Sequence, residues 1–203
     1  MINAIAVLAA LGDHRRPDPD DDDVLVARHH AGDTTAFEAM YRGHAVAVYR
    51  RLSRILGPIA EREDLMQDVF VALHRALPGF RGEARLSTLI HRIAINRACE
   101  YLRVSARRPA TPIDTAGFDD FVSPCRSPAD HAIARAELVH VFACLARIKP
   151  KKRIAFLLRV VEGLSFEEIA VLVDATPEAV AKRFQHGQKE LDALLARADR
   201  SPS

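Results

Sequence analysis

Apolar residues in this chain recur at helical steps, and no run alternates apolar with polar positions as a half-buried strand would. In the first half Phe37, Met40, Tyr41, Val48 and Leu52 share one such stripe. A second stripe, Leu65, Val69, Leu73 and Leu77, predicts a helix over 61–77 that Pro78 and Gly79 end. A third helix is predicted over 87–103. Ile90, Ala94, Ala98 and Tyr101 form its inner face, and Ser87 or Thr88 is placed to cap its first turn. From about residue 130 the pattern resumes, with Leu138, Val141, Phe142 and Leu145 on one face. "KKRIAFLLRVVEG" then predicts another helix, stopped by Gly163.

Two further helices carry the clearest local signals. "SFEEIAVLV" opens with Ser165 and Glu168 at capping-box spacing, and "TPEAVAKRFQHGQKELDALLA" opens with Thr176 as N-cap and Pro177 at the first helical position. Two capped helices around a turn of a few residues form a helix-turn-helix. Its inner residues are expected to be Ile169, Leu172 and Val173, then Val180, Phe184 and Leu191. The turn holds Asp174, a residue that tolerates a left-handed backbone. The second helix presents Lys182, Arg183, Gln185, His186, Gln188 and Lys189, side chains that bond phosphates and base edges, and "KPKKR" upstream adds positive charge.

Between the two helical halves the periodicity stops, and prolines and aspartates dominate. The fold expected is all-α: two small helical domains joined by a flexible linker. Residues 24–108 form the first domain, 109–129 the linker and 130–198 the helix-turn-helix domain. Residues 1–23 are an apolar and acidic extension expected to be disordered. Their opening "MINAIAVLAALGD" is too short to span a membrane and lacks the basic flank of a signal peptide, so no membrane insertion is expected.

The net charge of +2 conceals segregation. Asp18 and Asp20 to Asp23 form an acidic run near the start, whereas residues 75–108 hold eight arginines against two glutamates. Local segregation of this kind suggests a face that meets a polyanion. On the predicted third helix Arg92, Asn96 and Arg103 share a stripe opposite the apolar one. Arginine forks bind phosphate and asparagine reads a base edge. The loop before it, "FRGEARLS", combines Phe80, Arg81, Gly82 and Arg85, a composition suited to admitting a nucleotide strand and an unstacked base. The preceding helix differs: Asp64, Gln67, Asp68 and Val71 share its outer face, which suits a basic protein partner and not a polyanion.

Catalysis is not expected. The chain contains no H-E-x-x-H, no phosphate-binding glycine loop and no nucleophile elbow. Three widely spaced cysteines form no C-x-x-C pair, so neither a zinc ribbon nor a redox motif is supported. No cofactor or metal is expected, and a reducing cytoplasm fits the cysteine usage.

The combined pattern resembles a known family. "EDLMQDVFVALHRALPGFRGEARLSTLIHRIAINRACEYLR", with "AGDTTAFEAMYRGHAVAVYRRL" upstream, resembles region 2 of bacterial sigma factors of the extracytoplasmic-function group, within the sigma-70 family. "RIAFLLRVVEGLSFEEIAVLVDATPEAVAKRF" is similar to their region 4. The resemblance implies a transcription initiation factor that binds core RNA polymerase and directs it to promoters. It implies that Asp64, Gln67, Asp68 and Val71 meet the clamp coiled coil of the largest subunit, and that region 4 meets the flap of the second-largest. Phe80, Arg81, Gly82, Arg85, Arg92, Asn96 and Arg103 would contact the minus-ten element during strand opening. Thr176, Lys182, Arg183, Gln185, His186 and Lys189 would contact the minus-thirty-five element. An anti-sigma factor is a further implied partner. Leu86 and Leu89 stand where the family usually has an aromatic pair, and Gly187 interrupts the recognition helix. A stand-alone helix-turn-helix regulator and an anti-sigma-sequestering decoy are the competing readings.

Overall fold

The computed structural model describes residues 19–57, 59–105 and 128–198. The predicted linker falls largely, and the N-terminal extension mostly, outside the described residues. Among those residues the structure is helical throughout, with no strand. The helices are α1 (Pro19–His30), α2 (Thr34–Leu56), α3 (Arg62–Ala76), α4 (Leu86–Ser105), α5 (Pro128–Ala146), α6 (Pro150–Val160), α7 (Phe166–Val173) and α8 (Pro177–Ala198). A single 3-10 turn, Leu77–Gly79, follows α3.

The chain divides into two compact units. Among the described residues, one combines 19–53 with 60–100, and the other combines 54–57 and 59 with 101–105 and 128–198.

In the first unit the core is built from the expected stripes: Met40, Val48 and Leu52 of α2, Leu65, Val69 and Leu73 of α3, and Ile90, Ala94 and Ala98 of α4 are all buried. Phe70, Ile95 and Cys99 widen those stripes, which is the breadth a core-facing helix needs. Polar groups take part too. Arg62 is buried at the start of α3, its guanidinium 5.0 Å from the centre of the Tyr49 ring and Nη1 donating to Ser53 Oγ at 3.3 Å. Both partners belong to α2, so one side chain ties the two helices together.

The acidic run departs from expectation. Pro19–His30 is a helix, and Asp22 is buried, accepting a 2.8 Å hydrogen bond from His44 Nε2. A sequence that opens with proline and aspartates favours a helix start there. A histidine 22 residues away then removes the need to leave Asp22 in water. α1 is also joined to α3 by packing of the His29 and His74 rings, 5.8 Å apart, and to the turn after it by His30 Nε2 donating to the Leu77 carbonyl at 2.9 Å. The next helix has a local cap: Thr35 donates its backbone N–H to Asp33 Oδ1 at 2.8 Å, and Arg28 Nε donates to Asp33 Oδ2 at 2.9 Å.

In the second unit α6, α7 and α8 pack on one another, with α5 against α8. Leu138, Val141, Phe142 and Leu145 are buried on one face of α5, and Phe156, Leu157 and Leu158 on α6. Arg54, at the end of α2, belongs here: Nη2 lies 3.5 Å from Glu162 Oε1, both side chains buried. Stacking of Phe156 on Phe184, with ring centres 5.8 Å apart, joins α6 to α8.

Candidate polymerase and nucleic-acid interfaces

α3 separates its two faces cleanly. Its buried side holds the core, and Asp64, Gln67, Asp68 and Val71 are all exposed on the other. Neither carboxylate has an ion-pair partner among the described residues. Val71, 48% exposed, adds an apolar element to the acidic surface. Two free carboxylates one helical turn apart, next to an exposed valine, can hold a basic and partly apolar protein surface.

The loop from α3 to α4 begins with the 3-10 turn, closed by Phe80 N–H donating to the Leu77 carbonyl at 3.0 Å. Phe80 is half-buried, while Arg81, Gly82 and Arg85 are exposed. Gly82 has a φ of +74°, a left-handed conformation that a side chain would strain. The loop ends where α4 starts, one residue earlier than predicted. The Arg85 carbonyl accepts from the N–H groups of Thr88 (2.9 Å) and Leu89 (3.2 Å), so Arg85 occupies the cap position. Ser87 and Thr88 therefore lie inside the first turn and cap nothing. Complete burial of Leu86 is the physical cause, because anchoring it in the core starts the helix there.

On α4, Arg92 and Asn96 are exposed and adjacent, one turn apart. Neither forms an ion pair among the described residues. Arg97, beside them, is paired with Glu100 at 2.9 Å. Arg103 is exposed as well, seven residues further along the same helix. Tyr101, expected in the core, is only half-buried.

The helix-turn-helix is closed by local contacts. Glu168 N–H donates to Ser165 Oγ at 3.2 Å, and Ser165 N–H donates to Glu168 Oε2 at 2.7 Å, completing the capping box. Asp174 ends α7 with φ 51° and ψ 67°, the left-handed conformation a tight turn requires. Thr176 Oγ1 then accepts from Ala179 N–H at 3.2 Å, with Pro177 next in line. Hydrogen bonds from the backbone at its own position and from Thr176 lower the pKa of the Glu178 carboxyl in this first turn.

Along α8, Val180 and Leu191 are buried and Phe184 is half-buried between Phe156 and Phe166. Thr176, Lys182, Gln185, His186 and Lys189 are exposed, and Arg183 is half-exposed. Gly187 is buried. A Cβ there would lie 3.1 Å from the Lys152 carbonyl oxygen, so the glycine lets α6 and α8 approach closely. Lys152 Nζ secures the approach with a 2.7 Å ion pair to Glu190. Nearby Arg153 has its pKa lowered to about 10 by burial.

Among the described residues no group of histidine, cysteine and carboxylate side chains is arranged to hold a metal ion. No helix there is long and apolar enough to cross a membrane. Sequence reasoning missed Arg62, the Asp22–His44 pair and the Asp33 cap. Only the last left a local signal, an aspartate two residues before a threonine at a helix start.

Comparison with known proteins agrees with this arrangement. Residues 40–108 match the family model of Sigma-70 region 2, and residues 141–191 match that of Sigma-70, region 4. The chain is 30% identical over 177 residues to the ECF RNA polymerase sigma-E factor of Escherichia coli K12, covering 84% of this chain and 92% of that protein. It is 30% identical over 181 residues to the RNA polymerase sigma-H factor of Pseudomonas aeruginosa, covering 86% and 93%. In fold it is similar to CnrH, solved in complex with the cytosolic domain of CnrY, with a TM-score of 0.53 and 23% identity over 88% of this chain and 99% of that one. Two region matches in the expected order, with relatives aligned over nearly their whole length, show that this chain belongs to the sigma-70 family, extracytoplasmic-function group, and is a transcription initiation factor that directs RNA polymerase to promoters.

Proposed function

We propose that three exposed surfaces divide the work of initiation. The outer face of α3, with Asp64, Gln67, Asp68 and Val71, docks on the clamp coiled coil of the polymerase largest subunit. Phe80, Arg81, Gly82 and Arg85 of the loop, with Arg92, Asn96 and Arg103 of α4, hold the minus-ten element as its strands part. Thr176, Lys182, Arg183, Gln185, His186 and Lys189 of the helix-turn-helix meet the minus-thirty-five element, and the same domain rests on the flap of the second-largest subunit. The protein makes and breaks no bonds. It supplies binding energy for a melted strand through arginine–phosphate contacts and a loop that admits an unstacked base.

The observation that carries this reading is the contrast in charge between these surfaces. Two carboxylates without ion-pair partners stand on α3, and unpaired basic and amide side chains stand on α4 and α8. A surface with free carboxylates repels DNA and attracts a basic protein; the other surfaces do the opposite. An anti-sigma partner is part of the same proposal. It would compete for these surfaces and hold the chain away from polymerase in the cytoplasm.

Co-purification with core RNA polymerase tests the assignment. The Asp64→Ala/Asp68→Ala variant is expected to keep its melting temperature and lose most polymerase binding. Arg92→Ala and Asn96→Ala are expected to retain polymerase and impair strand opening. Polymerase binding unchanged in the double variant would overturn the assignment of α3.

A further inference from the structure

The two compact units do not coincide with the two sigma regions. Residues 54–57, at the end of α2, and 101–105, at the end of α4, fall inside the region 2 match, yet they pack with the helices of the region 4 match. Three features join them. Arg54 Nη2 lies 3.5 Å from Glu162 Oε1, with both side chains buried. Gly57, with a φ of +76°, abuts the Phe142 ring so closely that a Cβ would come within 2.8 Å of a ring carbon. Arg103 lines one cleft with Lys151 and Arg183. Ile55, Leu56 and Phe142 are each at most 3% exposed, so the junction excludes water.

A buried ion pair suits a junction that opens. Burying a carboxylate and a guanidinium costs much of what their attraction returns, and parting the surfaces gives both charges back to water. The pair therefore adds little net strength. It penalises misalignment instead, because either charge buried alone is strongly unfavourable. Burial of the apolar side chains around it, Phe142 among them, supplies the attraction, and glycine at position 57 lets the ring approach.

We propose that the free chain holds itself closed, its region 2 segments latched on region 4 through Arg54–Glu162 and Gly57–Phe142, and that promoter engagement requires this latch to open. The second half rests on the assignment of Arg103 and Arg183 to the minus-ten and minus-thirty-five elements. Those elements lie about 25 base pairs apart, or about 85 Å of duplex at 3.4 Å per pair. Two arginines lining one cleft cannot reach both, so the closed form engages one element at a time. The open fraction then sets the apparent promoter affinity.

Single-molecule energy transfer on the full chain, with dyes at Val46 on α2 and Val171 on α7, reads the latch. Both side chains are exposed and neither belongs to it. The free wild-type chain should give one narrow population. Arg54→Glu, which sets two carboxylates against each other, should cut the ratio of closed to open molecules at least about tenfold. Arg54→Glu/Glu162→Arg should restore the narrow population, a rescue that a damaged fold does not allow. Gly57→Ala, which changes no charge, should open the chain too, because its Cβ meets the Phe142 ring. Wild type bound with core RNA polymerase on a promoter should show the low-transfer state.

A narrow population that survives Arg54→Glu would overturn the latch, as would a charge-swapped double variant that stays open. Should Arg54→Glu fail to fold, judged by lost circular dichroism, Gly57→Ala and the promoter complex decide the question by themselves. Unchanged transfer in the promoter complex would make the junction a permanent joint and overturn the proposal. The free-chain measurements contain neither polymerase nor DNA. Failure of the α3 or promoter assignments therefore leaves the latch standing, and loss of the latch leaves those assignments untouched.

Discussion

The helix-turn-helix and the α3–α4 segment both lay a polar face over an apolar stripe, yet different contacts hold them in place. Around α7 and α8 the decisive bonds are local: Ser165 with Glu168 and Thr176 with Ala179, each three residues apart, with Asp174 turning the chain between them. Around α3 and α4 they are distant. Glu61, the N-cap residue of α3, makes no side-chain cap bond, and Arg62 is held by Ser53, nine residues away, and by the Tyr49 ring. The Leu77 carbonyl is held by His30, 47 residues away. The turn of the helix-turn-helix, proposed to read duplex DNA, is thus closed by its own local sequence, whereas the loop proposed to admit an open strand takes its shape from the rest of its unit.

Substitutions can break or sharpen this contrast, and the largest effect belongs to the α3–α4 side. Leu86→Ala removes a wholly buried side chain and is expected to cost about 3 kcal/mol in denaturant unfolding. A cost below about 1 kcal/mol would mean that the start of α4 is not anchored by the core. Arg62→Ala should cost about 2 kcal/mol, since it removes a cation–π contact and a buried hydrogen bond. Arg62→Lys should recover little, because an ammonium cannot stack as the planar guanidinium does. Ser165→Ala, on the locally closed side, should cost about 1 kcal/mol and leave the α3–α4 segment unaffected by hydrogen exchange.

The smallest effect comes from a local cap inside the distantly held unit. Hydrogen bonds from Thr35 and Arg28 lower the Asp33 pKa from 3.8 to about 2. Because the folded pKa is the lower one, this stabilisation is complete above the unfolded value and disappears as pH falls from about 4 toward about 2. Thermal melting between those limits should show the loss, and Asp33→Asn should flatten it. A slope unchanged in the variant would mean that other carboxylates dominate the acid limb.

Two features that looked like defects in the sequence have structural causes. Gly187 lowers helix propensity by about 1 kcal/mol relative to alanine, but a Cβ there would press on the Lys152 carbonyl oxygen at 3.1 Å. Leu86 stands where the family usually has an aromatic residue, and here the position is filled by the core and not presented to a strand. Neither fact is visible from spacing, since each depends on what the fold brings opposite. The aspartates of residues 20–23 teach the same lesson in reverse: their composition suggested a solvated tail, and His44 turned one of them into a buried tie.

The sequence by itself determined the helical class, the order of the two sigma regions, the apolar stripes and the caps of the helix-turn-helix. The class, the stripes and the caps follow from periodicity and from hydrogen bonds that close within one turn, whereas the order of the sigma regions follows from the resemblance of whole motifs to the family. Only the tertiary structure decided that Arg62 is buried, that Asp22 meets His44, and that Arg103, Lys151 and Arg183 line one cleft. A charged side chain reads as exposed until a distant partner makes its burial affordable, and cations separated by dozens of residues form a site only when packed helices bring them together.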